Sequence, residues 1–85
     1  MPSVVRVLFF ASAREAVGER RLDWPVPVEG RPIDGVVDEL VAAHAKLAPV
    51  IRMSRLVLNG KTVPRRGTLV RPGDELAIHP PYSGG

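Results

Sequence analysis

Apolar and β-branched residues fill positions 4–10, and Arg6 alone interrupts them. Such a near-continuous run is typical of a strand in the interior of a sheet, buried on at least one face. Residues 12–17 then favour a short helical turn, which Gly18 would end because glycine adopts the positive φ found past helix ends. The chain is therefore predicted to begin with a buried strand and a brief helical connection.

Residues 21–28 alternate loosely between apolar and other positions. The apolar members share one side of a predicted strand, and they are Leu22, Trp24, Val26 and Val28. Pro25 and Pro27 remove two backbone donors from the hydrogen-bond ladder. This segment is therefore predicted to be an edge strand.

A helical spacing of apolar residues follows between positions 36 and 48. The residues that recur at this spacing are Val37, Leu40, Val41, Ala45, Leu47 and Ala48. Asp34 is placed to cap the first backbone N–H groups, and Pro49 to end the helix. One amphipathic helix packed on a sheet is the prediction.

The remaining third of the chain contains turn signals between short apolar segments. Asn59-Gly60, between residues 56–58 and 61–63, favours the two positive φ values of a type I′ hairpin. Residues 71–74 form a second predicted turn, and residues 75–79 a final strand with Leu76 and Ile78 on one side. A single helix covers only one face of such a sheet. The predicted fold class is α+β, a ubiquitin-like β-grasp with a mixed sheet.

The alternation of side chains predicts which face of the sheet stays uncovered. Val5, Val7 and Phe9 would share the helix-covered face with Leu76 and Ile78. The opposite face would carry Leu8, Phe10, Val57, Thr62, Ala77 and His79. No second helix is left to cover it, so we predict a partner-binding surface there, beside the end of the last strand.

The amino-acid composition limits the kinds of chemistry that the chain could carry out. The 85 residues suit one compact domain, which we place at residues 1–79, and they include no cysteine, so neither disulfides nor thiolate metal sites are expected. His44 and His79 lack partners at metal-ligand spacing, and no metal is predicted. The adjacent pairs Asp38-Glu39 and Asp74-Glu75 do not converge as acid/base catalysis requires. Because there is also no phosphate loop or nucleophile elbow, stand-alone catalysis is not expected.

Charge and hydropathy bear on partners and location. The net charge of +3 comes from basic residues that are scattered, without interleaved aromatic side chains, so nucleic-acid binding is not expected. Arg6 interrupts the first apolar run long before it could span a bilayer, and residues 1–3 carry no basic leader. We therefore expect no membrane association and a cytoplasmic protein.

The last six residues, 80–85, are predicted to project from the domain as a tail. Pro80 and Pro81 cannot donate to a ladder, and their fixed φ favours a stiff, extended exit. Gly84 and Gly85 lack Cβ atoms and could pass through a channel too narrow for other residues. The group at the end of this tail would be the carboxylate of Gly85. Because the chain has no cysteine to hold a persulfide, any transferable sulfur would have to be carried on Gly85.

Several segments together resemble a known family. They are Val7-Leu8-Phe9-Phe10-Ala11, Arg14-Glu15, Gly18, Leu58-Asn59-Gly60, Gly73-Asp74-Glu75 and Pro80-Pro81-Tyr82-Ser83-Gly84-Gly85. In this order they are similar to the MoaD family, the small subunits of molybdopterin synthase among the ubiquitin-like MoaD/ThiS sulfur carriers. The match spans nearly the whole chain, and the Pro-Pro-x-Ser-Gly-Gly ending is its most specific element.

The resemblance implies a function and a set of partners. Gly85 would be adenylated with ATP by a MoeB-like activating enzyme, converted to a thiocarboxylate, and inserted into a MoaE-like large subunit, in a heterotetramer. Sulfur would then pass to cyclic pyranopterin monophosphate. The chain would be a non-catalytic, sulfur-donating subunit without a bound cofactor of its own.

The resemblance also assigns roles to single residues. Gly84 would accompany Gly85 at the reacting end, and Pro80, Pro81, Tyr82 and Ser83 would thread the tail into the partner. The match at Arg14-Glu15 implies that Arg14 contributes to partner recognition. Glu75 is a further candidate, for a contact with a basic surface on the activating enzyme.

The sequence leaves two other functions open. The chain could carry sulfur for another pathway, namely thiamine thiazole formation, cysteine synthesis, tRNA thiolation or protein modification through an isopeptide bond. It could instead be a β-grasp interaction module with an inert tail, whose basic surface binds RNA or an acidic protein.

Overall fold

The computed structural model describes residues 3–81. The elements in chain order are β1 (Val4–Phe9), α1 (Ala11–Val17), β2 (Arg21–Pro25), β3 (Arg31–Pro32), α2 (Ile33–Ala43), α3 (Leu47–Ile51), β4 (Arg55–Leu58), β5 (Lys61–Val63), β6 (Leu69–Val70) and β7 (Glu75–His79). None of the helices within this part of the chain is long and apolar enough to cross a bilayer.

A five-stranded mixed sheet, in the order β2-β1-β7-β4-β5, forms the centre of the molecule. β1 and β7 are parallel, and the other neighbours are antiparallel. β3 and β6 pair separately as a small two-stranded sheet. The predictions for three strands are confirmed: β1 is interior, β2 is an edge strand, and β7 has the predicted extent. The strand order and the helices together confirm the predicted α+β β-grasp fold.

The core lies between one face of the sheet and the helices. Val5, Val7 and Phe9 of β1 are buried there with Leu76 and Ile78 of β7, as the alternation predicts. α2 contributes the buried side chains Ile33, Val36, Val37 and Leu40. Burial of each aliphatic side chain of this kind contributes about 1.5–3 kcal/mol, so apolar packing between the sheet and α2 contributes strongly to the stability.

The predicted extent of β2 is too long. The strand ends at Pro25, and Val28 lies beyond it with 77% of its surface exposed, whereas Leu22 and Trp24 are half-buried. The strand ends there because Pro25 pairs with Val4, the first residue of β1, and Pro27 has no N–H to donate further along.

The start of α2 also differs from the prediction. Ile33 is its first residue, Pro32 is the N-cap without a side-chain hydrogen bond, and Asp34 lies inside the first turn. The N–H of Ile33 donates to the carbonyl oxygen of Thr68, at 2.8 Å, and so finds a partner without a cap. The Asp34 carboxylate accepts a hydrogen bond from Arg65 instead.

The single predicted helix up to Pro49 is two helices. α2 ends at Ala43, with His44 as its C-cap, and α3 begins at Leu47 with Pro49 as its third residue. Proline is tolerated there because the first N–H groups of a helix have no partner within the helix. Leu47 and Ile51 are buried, so α3 packs on the core through these two side chains.

Both predicted turns are present. Asn59 and Gly60 have φ values of 50° and 86°, as the hairpin between β4 and β5 requires. The turn before β7 has Gly73 at φ 92° and a hydrogen bond from the N–H of Asp74 to the carbonyl oxygen of Arg71, at 3.0 Å. Asn59 joins the two turns, since its Nδ2 donates to Asp74 Oδ1 at 3.0 Å and its Oδ1 accepts from the N–H of Glu75 at 2.9 Å.

Candidate functional site

The sheet surface opposite α2, here called the open face, is ordered in three rows across the strands. The middle row is mainly apolar and contains Arg21, Leu8, Ala77, Val57 and Thr62. The far row, at the start of β7, contains Asp23, Arg6 and Glu75. The exit row, at the end of β7, contains Phe10, His79 and Arg55.

The docking residues predicted on this face therefore lie side by side on it, although Ala77 is buried, with only 7% of its surface exposed. The middle row joins four of them across neighbouring strands: Leu8 pairs with Ala77, Ala77 with Val57, and Val57 with Thr62. Phe10 and His79 continue the surface at the exit row, where the Phe10 N–H donates to the carbonyl oxygen of Ile78 at 3.3 Å. This placement follows from the sheet register and confirms the predicted alternation of side chains, while the role of these residues in binding stays a prediction.

The chain leaves the sheet at the exit row. Since β1 and β7 are parallel, both end at the same edge of the sheet, and Pro80 and Pro81 follow His79 beside Phe10. Pro80 is half-buried and Pro81 is exposed. The tail residues Tyr82, Ser83, Gly84 and Gly85 lie outside the described residues, and the division into a domain of residues 1–79 and a projecting tail stays a prediction.

A groove runs along this exit. Its volume is about 480 Å³, and its lining residues are Met53, Ser54, Arg55, Val57, His79, Pro80 and Pro81. It joins the middle row, through Val57, to the first residues of the tail. A partner that occupies this groove would therefore contact the open face and the base of the tail at the same time.

The rings of Phe10 and His79 stack at the mouth of the exit. Their centroids are 4.3 Å apart and their planes differ by 11°. Phe10 is a large apolar residue, and 41% of its surface is exposed to solvent. An aromatic pair of this kind contributes about 0.5–1.5 kcal/mol beyond its buried area, so the contact favours the observed orientation of both rings.

Arg14 and Glu75 lie apart from these residues. Arg14 is exposed on α1, which packs on the core through Ala13. Glu75 shares the open face but lies at the opposite end of β7 from the exit, about 13 Å away at the usual rise of a strand. Its carboxylate forms an ion pair with Arg6, at 3.1 Å.

Sequence reasoning missed charged residues on the same surface. Arg55 lies directly across from His79, and Arg21 directly across from Leu8. The signal that could have found Arg55 is its position two residues before Val57, which places both on one side of β4. Met53, exposed beside the exit groove, carries no periodic signal because it lies in the turn before β4.

Polar contacts on the helix-covered side fasten β2 and β3 to α2. Glu39 Oε1 accepts hydrogen bonds from Arg31 Nη1, at 2.7 Å, and from Trp24 Nε1, at 2.8 Å. The hydrogen bond from Arg31 and then the one from Trp24 hold the pKa of Glu39 below its ordinary value. These contacts support the edge of the sheet and lie away from the open face.

The described residues offer a docking surface rather than a reaction centre. Within residues 3–81 no three His, Asp or Glu side chains converge as metal ligands. What the geometry does provide is an uncovered, partly apolar sheet face beside the point where the chain leaves the last strand. The class of protein that this arrangement defines is a small β-grasp domain with an open sheet face next to the exit from β7.

Comparison with known proteins gives the family. The model of the ThiS family matches residues 7–85. A protein of Chlamydomonas reinhardtii named molybdopterin synthase sulfur carrier subunit is 33% identical over 82 residues, which cover 95% of this chain and 98% of that protein. The chain belongs to the ThiS family and is a sulfur carrier protein.

Solved structures agree on the fold. The solution structure of small archaeal modifier protein 1 from Methanosarcina acetivorans is 27% identical, with a TM-score of 0.76 and coverage of 100% of this chain and 98% of that one. A chain in the protein–protein complex of subunits 1 and 2 of molybdopterin-converting factor from Helicobacter pylori is 18% identical, with a TM-score of 0.67 and coverage of 96% and 99%. The second likeness bears on the fold alone.

Proposed function

We propose that this chain is the sulfur carrier subunit of a molybdopterin synthase, and that the carboxylate of Gly85 is the group that carries the sulfur. The relative from C. reinhardtii bears this name and is similar over almost its full length. The observation that carries the proposal is structural: the uncovered sheet face adjoins the point where the chain leaves the sheet. A partner docked on this face would receive the tail in its own active site.

The chemistry follows from the terminal carboxylate. An oxygen of the Gly85 carboxylate attacks the α-phosphorus of ATP on a MoeB-like activating enzyme, and pyrophosphate leaves. A sulfide-level donor then attacks the acyl carbon of the adenylate, AMP leaves, and a thiocarboxylate remains. Because the chain has no cysteine, this terminus is the position where it can hold sulfur in transferable form.

The proposed partners act on different parts of the chain. A MoaE-like large subunit binds the open face through Leu8, Phe10, Val57, Ala77 and His79, with Thr62 at the edge. Pro80, Pro81, Tyr82 and Ser83 direct the tail into its active site, where sulfur passes to cyclic pyranopterin monophosphate. Two copies of each subunit form a heterotetramer in the cytoplasm. The chain itself holds no cofactor, and ATP belongs to the activating enzyme.

Arg14 and Glu75 take supporting roles in this proposal. Arg14, exposed on α1, contributes to partner recognition. Glu75 contacts a basic surface of the activating enzyme, and that contact has to compete with its ion pair to Arg6. Because the pair is exposed, it costs little to open.

Deletion of Gly84 and Gly85 tests the proposal. The truncated chain should keep its fold and bind the large subunit through the open face, yet support no molybdenum cofactor synthesis in cells that lack the endogenous carrier. Cofactor synthesis equal to that of the full chain would contradict the proposal. A matched control replaces Arg66, in an exposed turn beyond β5, by Ala, which keeps the whole tail and the terminal carboxylate.

A second function, protein modification, is favoured by the likeness to small archaeal modifier protein 1. The same acyl adenylate would then be attacked by a lysine amine of a target protein, with AMP leaving and an isopeptide bond forming. The two functions share the activation step and differ in the acceptor. Mass spectrometry of cell extracts separates them, because only modification leaves lysine side chains joined to Gly85.

A further inference from the structure

The charges of the open face are not evenly distributed. The far row carries the carboxylates Asp23 and Glu75 around Arg6, and Arg6 is ion-paired with Glu75 at 3.1 Å. The charged residues of the middle and exit rows are Arg21 and Arg55, and Glu19 lies to the side of the exit row, where the register of β1 with β2 continues past Phe9 and Arg20. Carboxylates therefore predominate at the start of β7, and arginine predominates where β4 and β7 meet at the exit.

Arg55 lies at the tail exit. It is exposed, lies directly across from His79, and lines the exit groove with Pro80 and Pro81. The ion pairs found within residues 3–81 involve Arg6, Arg31 and Arg65 but not Arg55. Its guanidinium thus offers five N–H donors at the edge of an apolar surface, a geometry suited to a carboxylate.

His79 adds an imidazole ring at the same place. The ring stacks on the exposed Phe10, is half-buried, and carries an N–H that can donate to an acidic side chain. Cross-strand neighbours have Cβ atoms about 5 Å apart, so one acidic side chain could reach both Arg55 and His79.

We propose that Arg55 and His79 determine partner specificity, by selecting a protein surface that places an aspartate or glutamate beside the tail exit. The inference rests on the proposed docking of the open face to the large subunit. The charge gradient along the face also sets the orientation of that partner, because a carboxylate is favoured at the exit and repelled at the far row. This orientation brings the acidic side chain next to the point where the tail enters the partner.

The test is a binding measurement with the molybdopterin synthase large subunit from the same genome. The full-length chain and its Arg55→Ala and Arg55→Glu variants are titrated by calorimetry at several salt concentrations. Arg55→Ala should raise Kd about tenfold and Arg55→Glu roughly a hundredfold, as for charges that pair across an interface. Both variants should show a weaker salt dependence than the wild type.

Two further variants are measured in the same way: His79→Phe tests the second residue of the proposal, and Arg66→Ala is the control. Phenylalanine keeps a ring on Phe10 but removes the ring nitrogens, so His79→Phe should raise Kd about threefold. Arg66→Ala removes the same charge as Arg55→Ala from an exposed turn beyond β5, and Kd should stay within about twofold of the wild type. Circular dichroism of each variant should match that of the wild type, since these side chains lie outside the core.

The outcomes separate this inference from the function on which it rests. Absence of binding by the wild-type chain would overturn the proposed function and the inference with it. Tight wild-type binding that Arg55→Glu leaves unchanged would overturn the inference alone, as would equal effects of Arg55→Ala and Arg66→Ala. A loss of affinity at Arg55 with an unaltered salt dependence would also contradict it.

Discussion

The imidazole of His79 stacks on the ring of Phe10 with a centroid separation of 4.3 Å, at the point where the last strand ends and the tail begins. The two residues are 69 positions apart in sequence, and the parallel pairing of β1 with β7 brings them together. The contact joins an exposed apolar side chain to the base of the tail. The contact therefore connects the open face of the sheet to the point where the chain leaves β7.

Replacement of Phe10 by Asp should abolish binding to the large subunit and leave the fold intact. The ring is 41% exposed, so a carboxylate there stays hydrated in the free chain but would be buried without a partner in the complex. We expect a loss of at least about 3 kcal/mol of binding free energy, measured by calorimetry. Leu69→Asp is a matched control, because Leu69 is 43% exposed on β6 of the small sheet. An unchanged Kd for Phe10→Asp would reject this surface.

Asn59→Ala should lower the free energy of unfolding by roughly 2–3 kcal/mol. The substitution removes two side-chain hydrogen bonds to the turn before β7 and places a Cβ-bearing residue without local stabilisation at φ 50°. Asn59→Gly loses the same hydrogen bonds but accepts the φ, so it should cost about 1 kcal/mol less. Urea denaturation of the three proteins measures both effects. Equal stabilities of the two variants would show that the backbone conformation contributes nothing.

Glu39→Gln should destabilise the chain by about 0.5–1 kcal/mol at neutral pH, because the charged acceptor of Arg31 and Trp24 is lost. The value is small since the Glu39 side chain is 46% exposed and solvent screens it. The folded-state pKa of Glu39 lies below the ordinary value of 4.5, so its stabilisation is present above that pH and is lost as the pH falls through the folded-state pKa.

Denaturation at a series of pH values checks this assignment. The difference in stability between the wild type and Glu39→Gln should be constant near neutrality and shrink in acid. Glu29→Gln, at an exposed position in the turn after β2, should show no such trend. A difference that persists unchanged in acid would mean that the charge of Glu39 is not what fastens β2 to α2.

The parts of the fold that could be predicted from the sequence are those with a local or periodic cause. Asn59-Gly60 specifies its turn through backbone preferences of two adjacent residues. The alternation in β1 and β7 places Leu8 and Ala77 on the open face because the period of a strand is two. Arg55 follows the same alternation in β4, but a prediction based on apolar residues alone does not include it.

The parts that could not be predicted depend on contacts between distant residues. α2 begins at Ile33 because Thr68 accepts its N–H, and Asp34 binds Arg65 from across the fold. The break after Ala43 has no breaker residue, and the helical spacing of Leu47 and Ala48 continued past it. The two-residue strands β3 and β6 are too short to leave a pattern at all.

The most direct test of the account is the mass of the C-terminal peptide from the chain after incubation with ATP, the activating enzyme and a sulfur donor. We predict that the Gly85 carboxylate gains the mass that corresponds to exchange of one oxygen for sulfur, and that omission of ATP prevents the gain. A terminus that stays an ordinary carboxylate in the complete mixture, and also in cells that make the pterin cofactor, would contradict the central claim.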